Sequence, residues 1–186
     1  MKNFIVLVIA VALLLPRAWA VAGSQTTVYF DDSAPDMMVL GNGDYYEVGL
    51  RKSNGSIAYI ADKTTGQHVT LGSRHECLWG VTIPNRTPNY LGGCSYHADW
   101  PNHFAYAWSG ATGALTLSYT PAPTASQAVT VQVVVTPSDE PWFDMRLSLD
   151  NHWGYRLDGV LFPSDLVFAE ADMQEALLPI LPGVVL

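Results

Sequence analysis

The 186-residue sequence is poor in positive charge and in charged residues altogether. It contains 9 lysines and arginines against 17 aspartates and glutamates, so the formal net charge is −8 at pH 7. This balance argues against a nucleic-acid-binding protein, because such a chain repels phosphate, and it also disfavours anionic membranes. Only 14% of the residues are charged and 49% are apolar, which excludes an intrinsically disordered chain. The length predicts a single domain.

The short motifs of common nucleophilic and nucleotide-binding sites are also missing. The sequence has no G-x-S-x-G, no S-x-x-K and no phosphate-binding glycine loop. A glycosidase needs two carboxylates that face each other across the scissile bond. The acidic pairs Asp31-Asp32 and Asp139-Glu140 are adjacent, so in an extended chain their side chains point to opposite faces. We interpret both pairs as solvated turn residues, assign no catalytic residue and expect no cofactor.

The first twenty residues have the pattern of a secretory signal peptide. Lys2 supplies the positive start, Phe4–Leu15 is an unbroken apolar run, and Ala18-Trp19-Ala20 matches the small-x-small cleavage pattern. A membrane anchor is the alternative, but the run is shorter than the roughly 20 residues that span a bilayer. We therefore predict a secreted or periplasmic protein, with residues 21–186 as its β-sandwich domain.

Only two cysteines are present, Cys77 and Cys94. An exported protein folds in an oxidising compartment, so we predict a disulfide between them, closing a loop of about 18 residues. Two buried thiols are the alternative. A zinc site is not expected, because neither cysteine belongs to a C-x2-C pair.

Alternation of apolar and polar residues with a period of two is the dominant pattern, and it predicts half-buried strands. The Asn54-Gly55 pair predicts a tight hairpin between the first two strands, because both residues tolerate positive φ. Only Glu170–Leu177 has helix-forming composition. The fold class is therefore all-β, an antiparallel β-sandwich. Strong alternation covers Tyr45–Lys52, Ile57–Ala61, Leu115–Thr120, Val129–Thr136 and Phe143–Asp150, and weaker strands are predicted at Thr27–Phe30, His68–Leu71, Leu78–Ile83, Phe104–Trp108, Leu157–Leu161 and Leu166–Phe168.

The segment Pro84–Phe104 is the richest in chemistry-bearing side chains. Proline and glycine interrupt it, so we predict a long irregular loop, and loops of that length are often functional. Aromatic rings beside Asp, Asn and His suit a sugar, because a ring stacks on its apolar face while polar groups bind its hydroxyls. The alternative is a loop whose aromatics only pin it to its own sandwich or to a neighbouring domain. The candidate carbohydrate-binding residues are Tyr96, His97, Asp99, Trp100 and His103.

Two further sequence patterns are weaker evidence for a functional site. His97-Ala98-Asp99 with His152 has the H-x-D…H form of an iron triad. We predict no metal site there, because Trp100-Pro101 follows at once and His152 falls in a predicted turn. The remaining tryptophans in or beside strands are predicted to pack in the core or between sheets; they are Trp79, Trp108, Trp142 and Trp153.

The strand-turn segments resemble those of a known family. Asp44–Leu50, Asn54–Ile57 and Ile60–Gly66 are similar to the opening hairpins of the galactose-mutarotase-like β-sandwich, the supersandwich of large secreted glycoside hydrolases and polysaccharide lyases. Leu115–Tyr119 resembles its next core strand, and Leu149–Asn151 with Val160–Pro163 resembles its closing pair. The resemblance covers roughly Gly41 to Pro163 and implies a non-catalytic module that precedes a (β/α)8-type catalytic domain. Epimerases of this fold use a His and a Glu that the resemblance does not place here.

We therefore expect a non-catalytic carbohydrate-binding or support module of a secreted glycoside-hydrolase-like protein, with an oligo- or polysaccharide partner and no nucleic-acid or membrane partner. One alternative is an epimerase-like or glycoside-processing enzyme that acts through the Pro84–Phe104 loop, with His97, Asp99 or His103 as acid and base. The other is a structural docking domain for a catalytic barrel. The apolar end Val184–Leu186 and the short length suggest an incomplete supersandwich within a larger protein, unless these residues form the last strand of a complete domain.

Overall fold

The computed structural model describes residues 28–70, 77–85, 90–93, 102–122 and 128–163. These residues form twelve strands and no helix, so none of the described chain has the long apolar helix that a membrane crossing needs. The signal peptide, the predicted helix Glu170–Leu177 and the predicted strand Leu166–Phe168 lie outside the described residues. The strands are β1 Val28–Asp31, β2 Met37–Asn42, β3 Tyr46–Arg51, β4 Ile57–Asp62, β5 His68–Thr70, β6 Gly80–Thr82, β7 Tyr90–Gly92, β8 Asn102–Ser109, β9 Ala114–Pro121, β10 Val129–Pro137, β11 Phe143–Asn151 and β12 Gly159–Leu161.

The strands form three antiparallel sheets. The first sheet has the order β1-β2-β3-β4-β5, the second β11-β10-β9-β8, and the third β12-β6-β7. In the first two sheets, neighbours in space are also neighbours in sequence, as expected for strands joined by short turns. The predicted all-β class with a sandwich-like arrangement is confirmed.

The core lies between the first and second sheets, and the alternation of the strands creates it. Every second residue from Leu115 to Tyr119 and from Val129 to Val135 points inward and is fully buried, while the residues between them face solvent or are half-buried. The inward residues of β2 and β3 meet them from the other side. The third sheet closes the core with Trp79, Val81 and Leu91. The fully buried hydrophobic residues of the first two sheets are Met38, Leu40, Val48, Leu50, Leu115, Leu117, Tyr119, Val129, Val131, Val133 and Val135.

The hairpin predicted at Asn54-Gly55 is confirmed, but only Gly55 uses positive φ, at 71°. The amide of Gly55 donates to the Arg51 carbonyl at 2.8 Å, and the Arg51 amide donates to the Ser56 carbonyl at 2.9 Å. The side-chain oxygen of Asn54 accepts from the Ser56 amide at 3.0 Å, an Asx turn that needs no left-handed backbone at Asn54.

Two strands, β2 and β7, are not among those that the sequence pattern predicts. In β2, Met37 and Val39 alternate with Met38 and Leu40, so both faces are apolar and the period-two signal is lost. The three-residue strand β7 lies inside the segment Pro84–Phe104, which therefore is not irregular throughout.

Candidate carbohydrate-binding groove

The structure describes the position of one of the five residues predicted to bind sugar, His103. Tyr96, His97, Asp99 and Trp100 lie outside the described residues. His103 does not lie on a loop as predicted, because β8 already begins at Asn102. Its side chain is exposed on the outer face of the second sheet, since the alternation of β8 turns its neighbour Phe104 toward the core.

The third member of the iron-triad pattern has a local partner. His152 follows β11 in the predicted turn, and its Nε2 lies 2.9 Å from Oδ2 of Asp150, with both side chains largely exposed. Within the described ranges, no three His, Cys, Asp or Glu side chains are grouped so that they could hold a metal ion.

A groove of about 400 Å³ opens at one end of the sandwich. The end of β4, the start of β3 and the start of β11 form its walls, so it spans the first and second sheets. Trp142, which we predicted to pack in the core or between sheets, is instead 53% exposed beside this groove. The alternation explains the difference, because Phe143 points inward and turns the preceding side chain outward. The lining residues are Tyr45, Tyr46, Ile60, Ala61, Asp62, Thr64, Pro141, Trp142 and Phe143.

Hydrogen bonds fix the loop that carries Trp142. The Tyr46 hydroxyl accepts from the Ser138 amide at 2.9 Å, and Nδ2 of Asn42 donates to the Ser138 carbonyl at 3.1 Å. The amide of Trp142 then donates to the Glu140 carbonyl at 2.8 Å. The loop between β10 and β11 is thereby tied to the first sheet, and the backbone that presents the indole is held in place.

Asp62 supplies an anionic acceptor at the opposite wall. Its Oδ1 accepts from the Thr64 hydroxyl at 2.6 Å, the Thr64 amide at 2.8 Å and the Thr65 amide at 3.2 Å. These hydrogen bonds from Thr64 and Thr65 lower the pKa of Asp62 to about 2, so the side chain is an anion at neutral pH. No hydrogen bond among the described residues uses its Oδ2, which leaves that atom as an acceptor for a ligand.

A second groove, of about 570 Å³, lies on the other side of the same loop. Trp108 and Phe30 stack in its wall with ring centroids 5.0 Å apart and an interplanar angle of 10°. Gly110–Gly113 and Asp139 complete its rim. Trp108 is half-buried against the core, as predicted, and offers less free ring surface than Trp142.

The outer face of the first sheet carries a polar cluster that the sequence pattern does not predict. We call Tyr29, Glu47, Tyr59 and Lys63 the Glu47 cluster. Both phenols donate to the carboxylate, Tyr29 to Oε2 and Tyr59 to Oε1, each at 2.6 Å. The Lys63 ammonium donates to the Tyr29 hydroxyl at 2.9 Å and lies 3.7 Å from Oε2 of Glu47.

The electrostatics of the Glu47 cluster favour one protonation state. Partial burial acts to raise the pKa of Glu47, but the hydrogen bonds from Tyr29 and Tyr59 and the charge of Lys63 outweigh it and hold this pKa below its usual value. Burial, followed by the hydrogen bond to Glu47, raises the pKa of both phenols. An ionised carboxylate between two neutral phenols is therefore the resting state, and these contacts join β1, β3 and β4.

No family model, no curated protein and no solved structure matches the chain. The case for the groove beside Trp142 as a binding site therefore depends on its geometry alone, which combines an exposed indole with an ionised carboxylate.

Proposed function

We propose that this chain is a non-catalytic carbohydrate-binding or support module of a secreted or periplasmic glycoside-hydrolase-like protein, and that it binds an oligo- or polysaccharide in the groove beside Trp142. The observation that carries the proposal is the presence of an exposed indole and an ionised Asp62 at one groove, where no described residue hydrogen-bonds to Oδ2 of Asp62.

The chemistry of a pyranose fits this pairing. Its C–H face is apolar and packs on an aromatic ring, while its hydroxyls donate to an acceptor at the ring edge. A hydrogen bond to a carboxylate is stronger than one to a neutral acceptor. The net charge of −8 favours a neutral polysaccharide over an acidic one.

Replacing Trp142 with alanine is expected to weaken binding of a neutral oligosaccharide about tenfold or more, because it removes the stacking surface. More than half of the Trp142 surface is exposed, so the melting temperature should stay within about 2 °C. Affinity is measured by tryptophan fluorescence and calorimetry after a screen of neutral oligo- and polysaccharides.

Tyr155→Ala provides the matched control, because Tyr155 is also an exposed aromatic (37%) but does not line the groove. It should bind as the unmodified protein does. Equal affinity in the Trp142 and Tyr155 variants, or no binding to any neutral saccharide, would count against the groove as the site.

We further propose that Cys77 and Cys94 form the predicted disulfide. Cys77 is buried, with 2% of its surface exposed, and no cysteine in the described part of the chain is a free thiol. Cys94 lies outside the described residues. Alkylation of the denatured protein should add no label before reduction and two labels per chain after it, as read by mass spectrometry. Labelling before reduction would contradict the pairing.

The second candidate function is a docking domain for a catalytic barrel. Val160 and Leu161 on β12 are 47% and 51% exposed, so the outermost described strand of the third sheet presents an apolar surface. This function predicts no saccharide binding by the chain itself, which the same screen distinguishes.

A further inference from the structure

The strand β11 presents a long open edge. Among the described strands it has one neighbour, β10, and the register between them runs without a shift from Val129↔Asn151 to Pro137↔Phe143. The strand spans nine residues with no proline and no bulge. Such an edge presents a row of backbone amides and carbonyls that can pair with a further strand.

Side-chain burial along β11 shows that its inner face is incompletely covered. The inward residues of β10 are fully buried, whereas those of β11 are only half-buried. The inner face of the second sheet therefore remains apolar at β11, where the described residues cover it only in part. The half-buried residues of β11 are Phe143, Met145, Leu147 and Leu149.

We propose that the β11 edge pairs with β11 of a second copy of this chain, antiparallel and about a two-fold axis that passes through Ser148. The two second sheets would then form one continuous eight-stranded sheet. A two-fold axis perpendicular to the sheet keeps outward side chains on the outer face. Each outward residue of β11 therefore lies opposite an outward residue of the second copy, and each inward residue lies opposite an inward one.

The charges on the outer face of β11 favour this register. With the axis at Ser148, Arg146 faces Asp150 of the second copy, and Asp144 faces His152 of the second copy. Symmetry repeats both pairs. Arg146 and Asp144 are exposed and have no ion-pair partner within the described ranges. Asp150 and His152 already contact each other through Oδ2 and Nε2 at 2.9 Å, so Arg146 and Asp144 of the second copy would join an existing pair and extend it into an alternating row of charges.

Three nearby registers are worse. An axis at Arg146 places the Arg146 guanidinium opposite that of the second copy. An axis at Leu147 places Asp144 opposite Asp150 of the second copy. Like charges directly opposite each other destabilise a pair of strands. An axis at Met145 also pairs Asp144 with Arg146, but it overlaps only residues 143–147 of the strand. The axis at Ser148 overlaps residues 145–151 of β11.

The same register places apolar side chains together on the inner face. Leu147 of each copy faces Leu149 of the other, so the half-buried row gains cover from the second copy. This apolar contact supplies affinity, whereas the charge pairs select the register.

Cross-linking at the axis tests the proposal directly. In an antiparallel pair, directly opposed Cα atoms lie about 4.5–5.5 Å apart, which matches the roughly 4.4–6.8 Å that a disulfide spans. Ser148→Cys in the full chain should therefore oxidise to a covalent dimer. Gln132→Cys is the matched control, because Gln132 is exposed on the same face but lies one strand inward on β10. It should remain largely monomeric on non-reducing gels.

Sedimentation of the protein without added cysteines provides a second test. A monomer–dimer equilibrium is expected over roughly 1–100 µM. Arg146→Asp should reduce association about tenfold, and adding Asp150→Arg should restore it by reversing the charge pair.

Two results would overturn the proposal: a monomer at all concentrations with equal cross-linking of the two cysteine variants, or a dimer that the Arg146 variant leaves unchanged. A monomer in which the β11 amides are nevertheless protected from hydrogen exchange would show that another segment of this chain occupies the edge, which also overturns it.

Discussion

Replacing Tyr119 with alanine is expected to lower the free energy of unfolding by about 4 kcal/mol, within the range for deletion of a fully buried aromatic side chain. The Tyr119 ring has no exposed surface and contacts Trp79 edge-on at 5.4 Å between ring centroids. It also packs on Phe104 at 5.1 Å. One substitution would thus open a cavity where the second sheet meets its neighbours.

Removing only the Tyr119 hydroxyl distinguishes the contribution of its hydrogen bond from that of the packing of the ring. It donates to the buried Asn54 carbonyl at 2.7 Å, joining β9 to the turn between β3 and β4. Tyr119→Phe keeps the ring and leaves that carbonyl without this donor, so a loss of about 1–3 kcal/mol is expected. Urea unfolding measures both variants.

Tyr106→Phe is the control, because Tyr106 is half-buried on the neighbouring strand and its hydroxyl makes no hydrogen bond among the described residues. A change below about 0.5 kcal/mol is expected for it. If Tyr119→Phe were as stable as Tyr106→Phe, the bond to Asn54 would contribute nothing.

Glu47→Gln is expected to lower the free energy of unfolding by about 2 kcal/mol near neutral pH. The substitution removes the charge that two phenols and Lys63 bind, and a hydrogen bond to a charged group contributes about 1.5–3 kcal/mol. Only 29% of the Glu47 side chain is exposed, so solvent weakens these contacts less than at the open surface.

The loss of unfolding free energy caused by Glu47→Gln should depend on pH in a defined direction. The folded pKa of Glu47 is below its unfolded value, so its contribution is present above the unfolded pKa of about 4.3 and is lost as pH falls through the folded pKa. The folded pKa values of Tyr29 and Tyr59 are raised, so their contribution is present below about pH 10 and is lost as pH rises through the folded values.

The difference in unfolding free energy between the unmodified protein and Glu47→Gln should therefore be largest from about pH 5 to 10, and it should shrink as pH falls below that window or rises through the raised pKa values of the phenols. Urea unfolding from pH 3 to 10.5 measures it. Glu140→Gln, at an exposed turn carboxylate, is the control and should change the free energy of unfolding by less than about 0.5 kcal/mol. A pH-independent difference for Glu47→Gln would mean that its charge does not stabilise the fold.

Periodicity predicted most strands because their burial alternates with the same period as their side chains. Val129–Thr136 shows this relation, since each inward valine is fully buried and each residue between them is more exposed. The same reasoning failed for β2, where both faces are apolar. The prediction that Trp142 packs in the core or between sheets was also wrong, because Trp142 precedes the inward-facing Phe143 and therefore points outward.

The Glu47 cluster could not be found from the sequence because it depends on register. Tyr29, Gly41 and Glu47 lie side by side on β1, β2 and β3. The glycine between the two side chains leaves space for the phenol to reach the carboxylate. Tyr59 likewise lies over Gly49, where an added Cβ would come within 2.1 Å of its ring. These relations emerge only when the register between neighbouring strands is known.

The tie between Tyr46 and Ser138 also has a kinetic consequence. The first and second sheets are each built from strands that follow one another in the chain, so each can form from local hairpins. The hydrogen bonds that link Ser138 to Tyr46 and to Asn42 instead join residues that are 92 and 96 positions apart in the sequence. Closing so long a loop carries a large entropic penalty and slows folding. Docking of the two sheets at this end is therefore expected to be a late event, and the groove beside Trp142 would be assembled last.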